Sequence, residues 1–237
     1  MSRMKKSGSI LNKTGLAIVL LLSILDASSQ NLKSFSGHCG LYYNTLEQLD
    51  RQLSAQVTFY DFKPGQVIAS IGAQCANWEA AFAVKTDSVC FYLEDIDSSS
   101  LNNVQAAFAW NYYSSLRKIP ITCDYKIIIG TENSTNLPLH FFDKILIINS
   151  FHEFGSQVEM LHDIASKLKA GGLLYIDETL AKKNGELHTQ CRKKLFTDSE
   201  MIELLGKNGF FYVNGLNMDF RKTRPQRKIF VFRKTNI

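Results

Sequence analysis

The chain has 237 residues, of which 45% are hydrophobic, 11% aromatic and 21% charged. That is an ordinary globular composition; it excludes a disordered, collagen-like or coiled-coil protein, and the length suits one large α/β domain or at most two small ones. The net charge of +5 is unevenly placed: residues 1–30 carry +3 and residues 221–237 carry +7, which leaves −5 for the body between them. A mildly acidic body is not the profile of a nucleic-acid binder, which clusters basic residues on the body itself. The run Arg221-Lys222-Thr223-Arg224-Pro225-Gln226-Arg227-Lys228 reads as a solvated loop between two strands, with phosphate contact as the alternative.

Residues 1–29 read as an address. A basic, polar start is followed by the apolar stretch Leu16 to Leu25 and the small residues Ala27-Ser28-Ser29 before Gln30. These are the three parts of a secretory signal peptide, and cleavage before Gln30 and export to a periplasmic or extracellular space are expected. Ten apolar residues fall short of the roughly 20 a spanning helix needs, so stable membrane insertion is not expected, an uncleaved short anchor being the alternative. Five cysteines at scattered positions include no CxxC pair, which gives no support for a metal or redox site. One disulfide among Cys39, Cys123 and Cys191 is possible, and Cys90 reads as a small core residue.

Residues 30–60 form an N-terminal cover with a helix at 41–56, and 61–237 the main domain. After the turn Phe62-Lys63-Pro64-Gly65 comes a buried strand, Gln66 to Ile71, then a helix at 75–85 and a strand Ser88 to Leu93. A helix over 98–117 follows, with Asp97, Ser98 and Ser99 as rival caps. Strands Tyr125 to Ile129 and Lys144 to Ile148, a helix at 156–168 and a strand Leu173 to Ile176 come next, the last entered by a turn at Lys169-Ala170-Gly171-Gly172. A helix at 198–208 precedes two strands near 210–216 and 228–233. Apolar runs without alternation are strands covered on both faces. Strand and helix alternation over this length predicts a doubly wound, mostly parallel seven-stranded α/β sheet with helices on both faces and a C-terminal antiparallel hairpin.

In such sheets ligands bind at the carboxyl ends of the strands. The segments there are Ser70-Ile71-Gly72-Ala73-Gln74-Cys75-Ala76, Leu93-Glu94-Asp95-Ile96-Asp97, Gly130-Thr131-Glu132-Asn133 and Asn149-Ser150-Phe151-His152-Glu153-Phe154. Taken in order over residues 55–233, they resemble the class I S-adenosylmethionine-dependent methyltransferases. The resemblance implies a Rossmann-like fold, S-adenosyl-L-methionine as cofactor and a small-molecule methyl acceptor. It implies cofactor contacts from Gly72, Ala73, Gln74, Asp95, Ile96, Asn149 and, near the adenine, Glu132 or Asn133.

Physical chemistry runs beside the resemblance. Gly72 lets backbone approach a ligand closely. Asp95, 23 residues on, can accept two ribose hydroxyls, near the spacing of about 20 seen in dinucleotide sites, with Glu94 as its competitor. Ser70, Gln74 and Ala76 stand where the family has an acid and two glycines; Ala76 alters little, whereas Gln74 sets a side chain where cofactor is expected. The nicotinamide class wants the full glycine pattern and is disfavoured. His152 is the candidate general base, oriented by Glu153, or else a packed residue under Phe151 and Phe154. Trp78 either packs or supports the sulfonium by its ring face. His188 and Arg192 lie in a polar stretch that could meet the acceptor or simply face solvent. A non-catalytic ligand-binding or interaction module of the same fold is the second functional class.

Overall fold

The apolar run Val67-Ile-Ala-Ser-Ile71 is buried on both faces and forms the first strand, β1. The computed structural model describes residues 39–218 and 226–235. The leader 1–29 with its exit at Gln30, the cover before Cys39 and the run Arg221 to Pro225 lie outside the described residues. Among the described residues, no helix is long and apolar enough to cross a membrane.

In chain order the elements are α1 (Leu46–Tyr60), β1 (Val67–Ile71), α2 (Asn77–Ala83), β2 (Cys90–Asp95), α3 (Asn103–Arg117), β3 (Asp124–Ile129) and β4 (Phe142–Ile148). A 3₁₀ turn (Phe151–Glu153), α4 (Gln157–Lys167), β5 (Leu168–Thr179), α5 (Asp198–Lys207), β6 (Phe210–Asn217) and β7 (Arg227–Lys234) complete them. One seven-stranded sheet has the order β3-β2-β1-β4-β5-β7-β6. Strands β3 to β5 pair in parallel and β7 pairs antiparallel with both β5 and β6. The expected doubly wound sheet with its terminal hairpin is therefore present.

Two apolar cores lie on opposite faces, as period-two side-chain alternation requires. Ile68, Phe91, Leu146 and Tyr175 pack with α1, α2 and α3 residues such as Leu49, Leu53, Phe82 and Tyr113. Ala69, Ile145, Ile147 and Ile176 pack with Leu161, Ile164, Met201 and Leu205 of α4 and α5. α1 thus shares a core with the strands, and residues 41–237 form one unit.

Local differences from the sequence expectation have physical causes. α3 begins at Asn103, because Asn102 accepts from the amides of Val104 and Gln105, while Asp97 instead closes a turn through Ser99 and Ser100. Residues 169–172 are a bulge inside β5 rather than a turn before it: Leu168 pairs with Phe142 and Leu173 with Lys144, and Gly171 takes φ +77°. The basic run is not all solvated loop. Arg227 and Lys228 belong to β7, where Lys228 is buried and ion-paired to Asp198. Of the cysteines named as disulfide candidates, Cys123 and Cys191 are free thiols, while Cys75, not among them, is disulfide-bonded, as is Cys39.

Candidate functional site

The strand order reverses between β1 and β4, and the crevice at their carboxyl ends is the topological switch point where ligands bind in open α/β sheets. A cleft of about 600 Å³ opens there, within the range of small-molecule sites. It is lined by Ile71, Gly72 and Gln74 after β1, Glu94 to Asp97 after β2, Thr131 and Glu132 after β3, and Ser150, Glu153 and Phe154 after β4.

The loop after β1 is bound to β2. The amides of Gly72 and Ala73 both donate to the Glu94 carbonyl, and that of Gln74 donates to Asp95 Oδ2 at 2.8 Å. Asp95 Oδ1 accepts from the amide of Asp97 at 2.9 Å. The buried carboxylate therefore clamps the loop and keeps a further lone pair on each oxygen for a ligand in the cleft. Because these three amides are engaged, the loop offers no phosphate cradle of the kind dinucleotide enzymes use.

The glycine pattern persists in conformation where it is lost in sequence. Gly72 has φ +73°, and Gln74 and Ala76 have φ +45° and +59°, the left-handed region that favours glycine. Ala76 is therefore a strained position and not the neutral replacement its small side chain suggested. Gly72 is required by Ser150 rather than by a ligand alone: a Cβ there would lie 2.5 Å from Ser150 Oγ. The acid absent at Ser70 is supplied by Glu79 of α2. Its Oε1 accepts from Ser70 Oγ at 2.5 Å, and burial pushes its carboxyl up to about 7 against that hydrogen bond.

Glu94, the competitor for the ribose role, also lines the cleft but is the more deeply buried of the two. Burial first, and then the neighbouring Asp95 charge, push it up to about 8, so it is protonated at neutral pH. A Cβ at Gly130 would overlap Glu94 Oε1, which explains the glycine at the end of β3. Of the other expected residues, Ile96 and Glu132 line the cleft and Asn133 does not. Ala73 and Asn149 border a separate hollow of about 100 Å³ beside Gly72, Gln74 and Trp78. Asn149 Oδ1 accepts from Thr179 Oγ1 at 2.9 Å. Thr131 lines the cleft and was not anticipated; its position one residue after Gly130 was the available signal.

His152 lies at the expected sheet edge, but its side chain is 0% exposed and does not line the cleft. Its Nδ1 meets the buried Glu178 carboxylate at 2.9 and 3.2 Å, so Glu178 rather than Glu153 orients the ring. Burial lowers its basicity, but the Glu178 hydrogen bond and the Glu178 and Glu153 charges outweigh it and raise the pKa. Trp78 is packed: the Arg227 guanidinium lies 5.2 Å from its ring centre and Phe82 stacks at 6.1 Å. Behind the site, buried Asp177 accepts from Arg227 Nε at 2.6 Å and Nη2 at 3.0 Å, from Gln56 Nε2 at 2.9 Å and from Tyr60 Oη at 3.2 Å.

No protein-family model and no curated protein matches this sequence. Solved structures do match. An S-adenosylmethionine-dependent methyltransferase from Methanosarcina mazei is 15% identical, with 76% of this chain and 97% of that chain covered and a TM-score of 0.60. The chain has the class I S-adenosylmethionine-dependent methyltransferase fold. The 1,6-didemethyltoxoflavin-N1-methyltransferase of Burkholderia thailandensis, solved with 1,6-didemethyltoxoflavin and S-adenosylhomocysteine, is 17% identical, with 98% and 94% covered and a TM-score of 0.58. The [4+2]-cyclase SpnF matches at 15% identity, with 84% and 88% covered and a TM-score of 0.58, so this methyltransferase fold also serves other chemistry.

Proposed function

We propose that this protein is an S-adenosylmethionine-dependent methyltransferase acting on a small-molecule acceptor. The observation that carries the reading is Asp95, a buried carboxylate at the end of β2 that lines the switch-point cleft and keeps acceptor capacity for a ribose diol. The cleft's composition fits a cationic cofactor: Asp95, Asp97, Glu132 and Glu153 line it with one basic residue, Lys193. Ile96 and Phe154 supply apolar surface for an adenine, and Thr131 and Glu132 supply polar atoms at its rim.

When bound, the cofactor supplies a methyl group already activated by its sulfonium. The chain's part is to bind, align and exclude water, and alignment alone is worth roughly 7–11 kcal/mol in favourable intramolecular cases. With its ring closed from the cleft, His152 does not touch an acceptor in this arrangement. Glu153, which lines the cleft, has its Oε1 3.7 Å from His152 Nε2.

A second reading, ligand binding without catalysis, is favoured by Gln74. Its exposed side chain lines the cleft where the family carries a bare glycine. Calorimetric titration with S-adenosylmethionine and S-adenosylhomocysteine tests the cofactor assignment. Asp95→Ala is expected to weaken binding by about 1.5–3 kcal/mol, the worth of charge-assisted hydrogen bonds, and Asp97→Ala to leave it nearly unchanged. Absence of binding by the wild type removes the assignment. Binding with no methyl transfer to any acceptor favours the second reading.

Export belongs to the same proposal. A disulfide-bonded Cys75 suits an oxidising compartment. Intact mass of the extracytoplasmic protein is expected to correspond to a chain starting at Gln30; a full-length mass would favour the anchor.

A further inference from the structure

Beside the cleft, three side chains from distant parts of the sequence converge. His152 follows β4, while His188 and Cys191 sit at the tip of the 181–197 segment between β5 and α5. That tip is a tight hairpin: Leu187 bridges Lys194, the His188 amide donates to the Lys193 carbonyl at 2.8 Å, and the Arg192 amide donates to the His188 carbonyl at 3.1 Å. The turn brings His188 Nδ1 to 3.1 Å from Cys191 Sγ. The two imidazole centres are 4.7 Å apart, and one ligand atom from each of the three residues lies within 4.8 Å of the others.

The decisive feature is His152 Nε2. The side chain is fully buried, and among the described residues Nε2 has no hydrogen-bond partner. A buried imidazole nitrogen without a partner is costly, and proteins rarely leave one so. The other nitrogen explains its state. Nδ1 faces the Glu178 carboxylate, which also accepts the Phe151 amide at 2.8 Å; a proton held on Nδ1 by that carboxylate leaves Nε2 as the atom that can offer a lone pair to a cation. A carboxylate holding the far nitrogen of a histidine is the usual second layer of a zinc ligand; it fixes the tautomer and raises the ligand's basicity.

We propose that His152 Nε2, His188 Nδ1 and Cys191 Sγ bind one zinc-class divalent cation, with the fourth position open to water; Glu153 Oε1 lies 3.7 Å from Nε2 but outside the three-residue cluster. Bond lengths of about 2.0–2.1 Å to nitrogen and 2.3 Å to sulfur place tetrahedral ligand atoms roughly 3.3–3.6 Å apart. From spacings of up to 4.8 Å, the ligand atoms must draw together by roughly 1.2–1.5 Å at most to reach that geometry, which the largely exposed 182–194 loop can supply. Mixed imidazole and thiolate ligation selects zinc over magnesium or calcium. The ion would tie the 181–197 loop to the carboxyl end of β4 and so fix the rim of the cleft, where Lys193 stands. This assignment does not depend on the cofactor reading.

The test uses the full-length protein loaded with zinc chloride, dialysed and measured for bound metal by elemental mass spectrometry, and in parallel loaded with cobalt chloride. One metal per chain is expected, with a thiolate-to-cobalt charge-transfer band and tetrahedral ligand-field bands in the cobalt form. Cys191→Ser should abolish the charge-transfer band while thermal melting shows the fold intact. His188→Ala should weaken zinc binding about tenfold or more. Glu178→Gln should weaken it about tenfold to a hundredfold, as loss of an outer-layer carboxylate does. Substoichiometric metal, or a charge-transfer band that survives Cys191→Ser, overturns the assignment. S-adenosylhomocysteine titration of the metal-free protein reports separately on the cofactor site.

Discussion

Replacing Gly72 by alanine isolates what the first loop demands of its backbone. Two costs add. The residue has φ +73°, and a left-handed conformation costs an L-residue with a Cβ roughly 1–2 kcal/mol. The new Cβ would also lie 2.5 Å from Ser150 Oγ and 2.7 Å from Ser150 Cβ. Ser150 is not free to swing away, because its hydroxyl donates to the Ile71 carbonyl at 3.1 Å. Overpacking of this kind typically costs about 1–3 kcal/mol, so the expected total is roughly 2–5 kcal/mol. Ser150→Gly removes both clashing atoms at the loss of one hydrogen bond, about 1 kcal/mol. Urea unfolding of the wild type, the two single variants and the double variant then closes a cycle. The double variant should be less destabilised than the sum of the singles by about 1–3 kcal/mol, leaving the conformational cost behind. Additivity within about 0.5 kcal/mol would refute the claim that Ser150 dictates the glycine.

Three further outcomes are expected. Gln74→Gly relieves a left-handed residue and clears the cleft, so thermal stability should rise by up to about 1 kcal/mol and affinity for S-adenosylhomocysteine should increase; weaker binding would show that the Gln74 side chain itself holds the ligand. Glu94 is raised from 4.5 to about 8, so the folded state holds a proton that the unfolded chain releases. Its contribution is complete below about pH 4.5 and lost as pH rises through about 8, so wild-type stability should fall across that window by on the order of a few kcal/mol more than that of Glu94→Gln. Parallel curves would sink this reading; comparison with the variant is needed because Glu79, raised to about 7, titrates in the same window. Asp177→Asn leaves the Arg227 guanidinium without its two-pronged partner and should cost about 3–5 kcal/mol by thermal melting, whereas a loss under about 1 kcal/mol would mean the network is incidental.

The strands were legible because β1 is apolar except for Ser70 and β4 is apolar from Ile145 to Ile148, a pattern that needs no tertiary knowledge to interpret. The turn at Pro64-Gly65 and the antiparallel β6 and β7 pair followed from local chemistry in the same way. What could not be read locally was decided by partners far along the chain. Gly171-Gly172 looks like a turn until β4 pairs on either side of it and makes it a bulge. Arg227 and Lys228 look solvated until Asp177 and Asp198 arrive to neutralise them. Ser70 looks like a missing acid until α2 folds back and Glu79 meets its hydroxyl. Asp95 was chosen over Glu94 from sequence alone, and the structure separates the two by partners: the Asp95 carboxyl accepts loop amides at the cleft, while burial pushes that of Glu94 up to about 8. The convergence of His152 with His188 and Cys191 had no signal of its own, because one member lies 36 positions before the nearest of the others.

The fastening of α1 contrasts with that of the loop beside the cleft. Its last two carbonyls, of Tyr60 and Asp61, receive the buried Lys144 ammonium at 2.7 and 2.5 Å, and one turn earlier Gln56 joins Tyr60 on Asp177. Lifting the end of this helix would uncover an ammonium and a carboxylate together, each losing its partners in the same motion. The end of α1 is accordingly fixed to the sheet. Residues 182–194 are held differently: they are largely exposed and joined by the Leu187–Lys194 bridge, turn hydrogen bonds, the Lys194–Glu200 ion pair and the contact of His188 with His152. The 181–197 loop, which carries His188, Cys191 and Lys193, is therefore the segment that can shift at the lower cost, and through Lys193 it reaches the cleft.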